Sequence, residues 1–420
     1  MNKQLRNITE YIREELGLQH YNLERHHIFR EIDHFNKTTY TLSTEWMPDG
    51  TQVAEDGNPA GAAVVDINFH TREFTQITFV RGISHANPGK YPSSDTESAI
   101  EWIEAQTGLT FGRQFLLIDD AADALSFGAA VDNIPVSPPG TIEIAFNEQG
   151  QLTNFWISGN FPDENQIEWE PFNLTPEKFE QHARKQCELL KIPDENQQKW
   201  KAYYGIEEAF ITNDGKQMIP FVRDENSTVR LDMVMEWDSP EPIDEAFKMG
   251  KTDFSTEVTV ETALRNEAHP DTLPITEDEQ KTCAMETLQF LQKVYPDDSG
   301  NWKLTALMRE KGYLIAELQL TEQTGHVFER KIKVIIDPDQ LTPVDYIDNA
   351  KLLKMFNGFQ EADSAVVTES EAFEKLREHM EMEPVYVYDD ATGKYILCGK
   401  LDCAYAVDAV TGETVLLNML

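Results

Sequence analysis

Four of the ten histidines, His20, His26, His27 and His34, fall within fifteen residues, and Glu31 stands three before His34. On a helix this ExxH spacing puts carboxylate and imidazole on one face, which is half of a carboxylate-bridged metal site. The other half requires a second ExxH from another helix. His379 is the histidine in a comparable acidic segment, but it has Glu378 beside it and Leu376 where the carboxylate should stand. Adjacent His26 and His27 cannot both face one ion, whether the segment is helical or extended. Tyr21 to Phe35 reads equally as an exposed amphipathic stretch with Ile28, Phe29 and Ile32 turned inward. Solvated histidines are therefore expected, and His26, Glu31 and His34 stand as minor metal candidates.

Asp119-Asp120-Ala-Ala-Asp123 matches the DDxxD pattern that holds magnesium-diphosphate in isoprenoid synthases. Those enzymes are helical, with a second acidic motif on a facing helix. Here Phe115-Leu-Leu-Ile118 reads as a strand and Pro135, Pro138 and Pro139 follow, so a solvated loop is expected, with Asp119, Asp120 and Asp123 as minor metal candidates. Cys398 and Cys403 flank Gly399-Lys400, where a thiol pair across a turn is geometrically unproven, while Cys187 and Cys283 lie on other helix-like segments as core filling. Four cysteines in 420 residues suit a reducing compartment. No nucleophile elbow, HExxH, Walker loop, GxGxxG or EF-hand loop occurs. No spacing selects a pair of carboxylates for acid–base work. The expectation is no catalytic residue and no cofactor.

The elements that would position these residues recur. Alternating apolar strands joined by polar turns occur at Val64–Phe79, Thr141–Trp156, Lys331–Tyr346 and Ala404–Leu416, and Val229–Trp237 fits the first half of the same template. Period two predicts half-buried antiparallel strands. Helices are predicted over Asn2–Leu16, from Asp95 or Thr96 to Thr107, and over Thr175–Leu190, Thr276–Val294 and Thr368–Met380. Gly108 marks one stop, Pro176 one start, and Thr276…Glu279 and Thr368…Glu371 are spaced as capping boxes. Glu45-Trp46, Glu168-Trp169 and Glu236-Trp237, each followed closely by Pro48, Pro171 or Pro240, read as strand ends where a large ring covers a seam. The expected architecture is α+β: about five degenerate repeats of one helix on an antiparallel sheet, in two halves. The boundaries are 1–84, 92–172 and 173–237, an acidic linker at 238–274, then 275–347 and 348–420. One helix over a few strands buries too little core alone, so units should share sheets or pack face to face.

Tyr405-Ala-Val-Asp408-Ala-Val-Thr411-Gly412-Glu413-Thr-Val resembles the closing strand of PepSY-type domains, and Pro384–Tyr388, Tyr395–Lys400 and Asp402-Cys403 strengthen the likeness. Together they resemble the repeated domain of YcdB/YcdC-type proteins of Gram-positive bacteria over about the last fifty residues. In the other units the Asp-x-x-Thr-Gly turn decays to Phe69-His70-Thr71-Arg72, Asn147-Glu148-Gln149-Gly150 and Asp337-Pro338-Asp339-Gln340. The resemblance implies a helix-on-sheet module without established catalytic residues; related domains on protease propeptides inhibit or regulate. Independently of family, Asp408 can accept backbone N–H groups inside the turn and Gly412 tolerates positive φ, so Asp408, Thr411 and Gly412 are expected to be structural.

Seventy-four Asp and Glu oppose 36 Lys and Arg, a net charge of −38, and no basic stripe is dense enough to outweigh it. Nucleic acid and anionic membrane surfaces are poor partners for such a chain. The N-terminus has no apolar core of the signal-peptide kind and no segment reaches about 18 uncharged apolar residues. A soluble, cytoplasmic protein is expected, although many relatives of the resembled family are exported. The expected function is non-catalytic binding or regulation of a polypeptide such as a protease. The rivals are a metal-dependent hydrolase with its site in a cleft between the halves, and an acidic self-assembling structural protein. Oligomeric state is not readable at this level.

Overall fold

The computed structural model describes residues 2–51, 57–121, 123–221, 228–238 and 247–420. The architecture is α+β with more strand than helix, and the strands fall into several sheets. By Cα proximity the chain divides into two compact units, each drawn from separate stretches. One comprises residues 1–170, Thr256–His269 and Pro384–Leu397; the other comprises Pro171–Ser255, Pro270–Glu383 and Cys398–Leu420. Among the described residues no helix is long and apolar enough to cross a membrane.

The first unit is built on an antiparallel sheet running in the order Tyr21–Ile32, Thr38–Pro48, Ala63–Asn68, Phe74–Phe79, Leu152–Ser158, Thr141–Phe146, Ala124–Val131 and Phe115–Asp120. The two hairpins expected at Val64–Phe79 and Thr141–Trp156 meet edge to edge through Gln76, Ile77 and Thr78 opposite Trp156, Phe155 and Asn154. Helix Lys3–Glu15 turns Leu5, Ile8 and Ile12 into this core, and helix Thr96–Thr107 adds Ala99 and Ile103. Each such fully buried Leu or Ile is worth about 1.5–3 kcal/mol. The second helix begins where Asp95 accepts from the Ser98 N–H and stops at left-handed Gly108. Trp46 is buried, donating to Thr44 Oγ1, while Trp169 is exposed.

Among the described residues the second unit carries two sheets and a short hairpin of Ala209–Thr212 with Met218–Pro220. In one, Val229–Met235, Trp302–Glu310, Tyr313–Leu320, Lys331–Ile336 and Pro343–Asp348 follow in order, covered by helix Glu277–Val294. In the other, Cys187–Asp194 and Lys199–Ile206 pair with Tyr405–Asp408 and Thr414–Leu416, and helices Pro176–Ala183 and Glu369–Leu376 share one core over it. The third and fifth predicted helices therefore bury the same sheet. The capping boxes at Thr276…Glu279 and Thr368…Glu371 are both formed.

Two local expectations are corrected and one open reading is decided. Tyr21–Ile32, whose spacing allows a helix or an extended chain, is a strand, because its backbone pairs along its length with Thr38–Pro48. The helix opened by Thr175 ends at Ala183, since Cys187–Asp194 pairs with Lys199–Ile206 and strand pairing overrides the helical pattern of Leu189 and Leu190. Asp119 and Asp120 are not in a loop; they close the Phe115–Asp120 strand opposite Ser126 and Leu125. Within 238–274, residues 239–246, including Pro240, lie outside the described ones. Val260–Arg265 in the same stretch is a short helix capped by Thr259.

The turns keep one geometry where their sequences diverge. Asp408 Oδ1 accepts from the N–H groups of Val410 and Thr411, both at 2.8 Å, and Gly412 takes φ 74°. Asn68 does the same for His70 and Thr71, with Arg72 at φ 66°, and Asp337 for Asp339 and Gln340, with Leu341 at φ 54°. In the Asn147 turn Gly150 comes one residue earlier, at φ 73°.

Candidate functional site

Strand geometry scatters the histidine cluster. His26 and Glu31, five residues apart on one strand, project to opposite faces about 16 Å apart, and His34 lies beyond the strand end. His27 Nδ1 meets Glu257 Oε1 at 2.8 Å, and His20 lies 3.9 Å from Asp49. His26 lines a cavity of about 420 Å³ with Arg6, Arg13 and Trp46, where the Arg13 guanidinium lies 5.5 Å from the Trp46 ring centre. Asp119, Asp120 and Asp123 are all exposed, and successive strand residues Asp119 and Asp120 diverge. Among the described residues no group of three His, Cys, Asp or Glu converges as metal ligands would. His379 stacks on Tyr405 at 4.1 Å. The four cysteines are buried and no disulfide joins them. Burial pushes the Cys187 and Cys283 thiols up to about 11, which suits packing rather than nucleophilic attack.

Two surfaces gather what these candidates lack. The first, in the second unit, is aromatic. The Cys187–Ile206 hairpin is gripped on both edges: the Lys191 N–H donates to Gly325 O and Lys191 O accepts from Val327, while Trp200 and Gln198 exchange backbone bonds with Gln360. This grip stacks His326 on Trp200 at 3.9 Å and places Phe356 5.1 Å from Trp200. Phe328 then stacks on Phe356 at 5.5 Å and is 49% exposed, with Val327 at 40%, Leu352 at 62% and Met355 at 55%. Exposed Lys351 and Lys354 flank the patch, and Lys191–Glu361 and Lys199–Asp363 ion pairs mark its rim. Burial would raise the Glu361 carboxyl, but hydrogen bonds from His326 and Lys191 hold it below its ordinary value.

The second surface, in the first unit, is a cavity of about 400 Å³ lined by Arg113, Gln114, Asp132, Asp163, Glu164 and Trp169 among others. Backbone pairing builds it. Arg113 O accepts from the Asp132 N–H at 3.0 Å, and Asp132-Asn133 forms the two-residue turn, both at positive φ, between Ala124–Val131 and Ile134–Ser137. Opposite, a short helical turn at Glu164–Gln166 is capped by Asp163, and Ile167 bridges to Tyr395 so that Trp169 meets Tyr386 edge to face at 6.4 Å. Arg113 pairs with Glu164 and lies 3.8 Å from Asp132. Burial, with the nearby carboxylates of Glu170 and Asp132, raises the Tyr386 phenol above its ordinary value.

Periodicity could not find either surface. The signal for the aromatic one is local: Leu352, Met355, Phe356 and Phe359 crowd a stretch with no strand period, beside Lys351 and Lys354. For the cavity it is the Asp-Asn turn and the Glu168-Trp169 dipeptide, whose ring meets Tyr386 on one side and is open on the other.

No protein-family model matches the chain, and no curated protein matches it. Among solved structures, the Bacillus megaterium YpeB C-terminal domain matches with a TM-score of 0.25 and 8% identity, over 83% of this chain and 97% of that one. At such a score the fold has to be argued from the chain itself.

Proposed function

We propose that this chain is a non-catalytic binding or regulatory protein of PepSY-like helix-on-sheet repeats that engages a polypeptide, such as a protease. The observation that carries the reading is the patch of Val327, Phe328, Leu352 and Met355 around the tilted Phe356–Trp200 pair. An exposed Phe and Met with aliphatic neighbours over an aromatic base, rimmed by charge, have the composition of a protein interface. A catalytic centre would instead gather a nucleophile or acid–base pair in a cleft. The test is selection of a displayed random-peptide library on the full chain, repeated with Phe328→Ser and Met355→Ser. Peptides that enrich on the parent and are lost on both variants support the reading. No enrichment, or enrichment indifferent to both changes, refutes it.

A further inference from the structure

The cavity beside Trp169 has a composition that the aromatic patch does not explain. Its lining sets one cation, Arg113, against three carboxylates, Asp132, Asp163 and Glu164, and the charge of Glu170, next to Trp169 in sequence, is felt at Tyr386. Trp169 is 52% exposed although it rests on buried Tyr386, so the aromatic edge beneath it is fixed and its outer surface is open. A face of Trp attracts cations through its quadrupole, and the exposed carboxylates beside it add to the attraction. An anion would meet uncompensated negative charge here, inside a chain of net charge −38.

We propose that this cavity is a binding site for an arginine side chain presented by a basic segment of the partner polypeptide. Arginine is favoured over lysine because a planar guanidinium can stack on Trp169 and bridge two carboxylates at once, whereas an ammonium is a compact, strongly hydrated point charge. The molecule already contains a template for the contact: its own Arg113 lies between Glu164 and Asp132. Arg113 thereby acts as a resident competitor. Its removal frees two carboxylates and deletes the one positive charge in the lining, so it should strengthen capture. For an anionic ligand the same change would do the opposite. The charge of the whole chain concentrates basic segments near its surface, and the cavity supplies the selective contact.

The proposal rests on the polypeptide-binding reading for its partner but not for its chemistry, and the test separates the two. Acetyl-Gly-Ser-Arg-Ser-Gly-amide is titrated into the full chain by calorimetry at about 150 mM salt, which screens diffuse attraction beyond about 8 Å. Peptides with lysine or citrulline in place of arginine, and arginine methylamide alone, are run alongside. The expected pattern is saturable binding of the arginine peptide, at least tenfold weaker binding of the neutral citrulline peptide, and weaker binding of the lysine peptide. Trp169→Ala should lose at least fivefold with partial recovery in Trp169→Phe, and Arg113→Ala should gain affinity. Equal binding of arginine and citrulline peptides, indifference to Trp169→Ala, or weakening by Arg113→Ala overturns the site. Saturable, Trp169-dependent binding of arginine methylamide, together with a peptide library that never enriches, upholds the cavity and rejects the polypeptide reading. The reverse result upholds the reading and rejects the cavity.

Discussion

Backbone sign, more than side-chain identity, fixes the turn positions. Gly412, Arg72 and Leu341 occupy equivalent places at positive φ, and Gln198 at φ 49° closes the Asp194 turn, where Asp194 Oδ1 accepts from the Gln197 N–H at 3.0 Å. A non-glycine residue there carries about 1–2 kcal/mol of steric cost. Opposite outcomes follow from exchanging residue types. Gly412→Val adds a β-branched side chain at φ 74°, where even a Cβ meets Lys375 Nζ at 2.9 Å, and should destabilise by about 2 kcal/mol or more. Gln198→Gly, at an exposed site, should stabilise by about 0.5–1 kcal/mol, raising Tm by about 1–3 °C in thermal melts followed by circular dichroism. A Tm unchanged in both variants would refute the shared turn geometry. The Asp408 turn was legible because Asp and Gly announce it. The turns ending at Arg72 and Leu341 were legible as polar breaks between alternating strands, but their positive φ was not, since those residues disguise a conformation they merely tolerate.

At the scale of elements, hairpins and caps were legible and helix ends less so. Period-two alternation names a strand wherever one face is buried, which placed all four hairpins. Tyr21–Ile32 escaped because its alternation is broken by charge on an edge strand, and a helical spacing of Glu31 and His34 was available to mislead. The Glu277–Val294 helix is anchored by a contact that spacing half revealed. Glu279, found as a capping partner, also receives Arg309 Nη2 at 2.6 Å, and Arg309 Nε donates to Leu273 O at 3.0 Å. Burial would raise the Glu279 carboxyl, but the hydrogen bonds from Thr276 and Arg309 outweigh it and hold the group below its ordinary 4.5. A folded-state value below the unfolded one means stability present above about pH 4.5 and lost as pH falls through the folded value. Asp348, held low by Arg330 and Tyr295 against its burial, acts in the same direction. Glu279→Gln should therefore cost about 1–3 kcal/mol at pH 7 and flatten the acid limb of a Tm–pH profile. A variant as acid-sensitive as the parent would show that the Glu279 pair does not carry that limb.

At the scale of the molecule, what was legible is what does not depend on arrangement. Periodicity reports that a helix has a buried face but not which face receives it, so the sharing of one core by helices Pro176–Ala183 and Glu369–Leu376 had no sequence signature. Charge is different, because a sum of residues survives any fold. Seventy-four carboxylates against 36 basic side chains repel one another across the folded surface, and unfolding relieves that repulsion by separating them. Exposed ion pairs such as Arg184–Glu374 oppose the trend, since salt weakens them, but each is worth only about 0–1 kcal/mol. Repulsion among the excess carboxylates should win. Raising ionic strength from about 10 mM to 150 mM shortens the screening length from about 30 Å to about 8 Å, below the reach of most like-charge pairs but not of contacts. Tm should accordingly rise by several degrees over that range at pH 7 in sodium chloride, and the gain should shrink near pH 4.5, where protonation removes the excess charge. A Tm that falls with salt would mean that the ion pairs, and not the net charge, set the electrostatic balance of this chain.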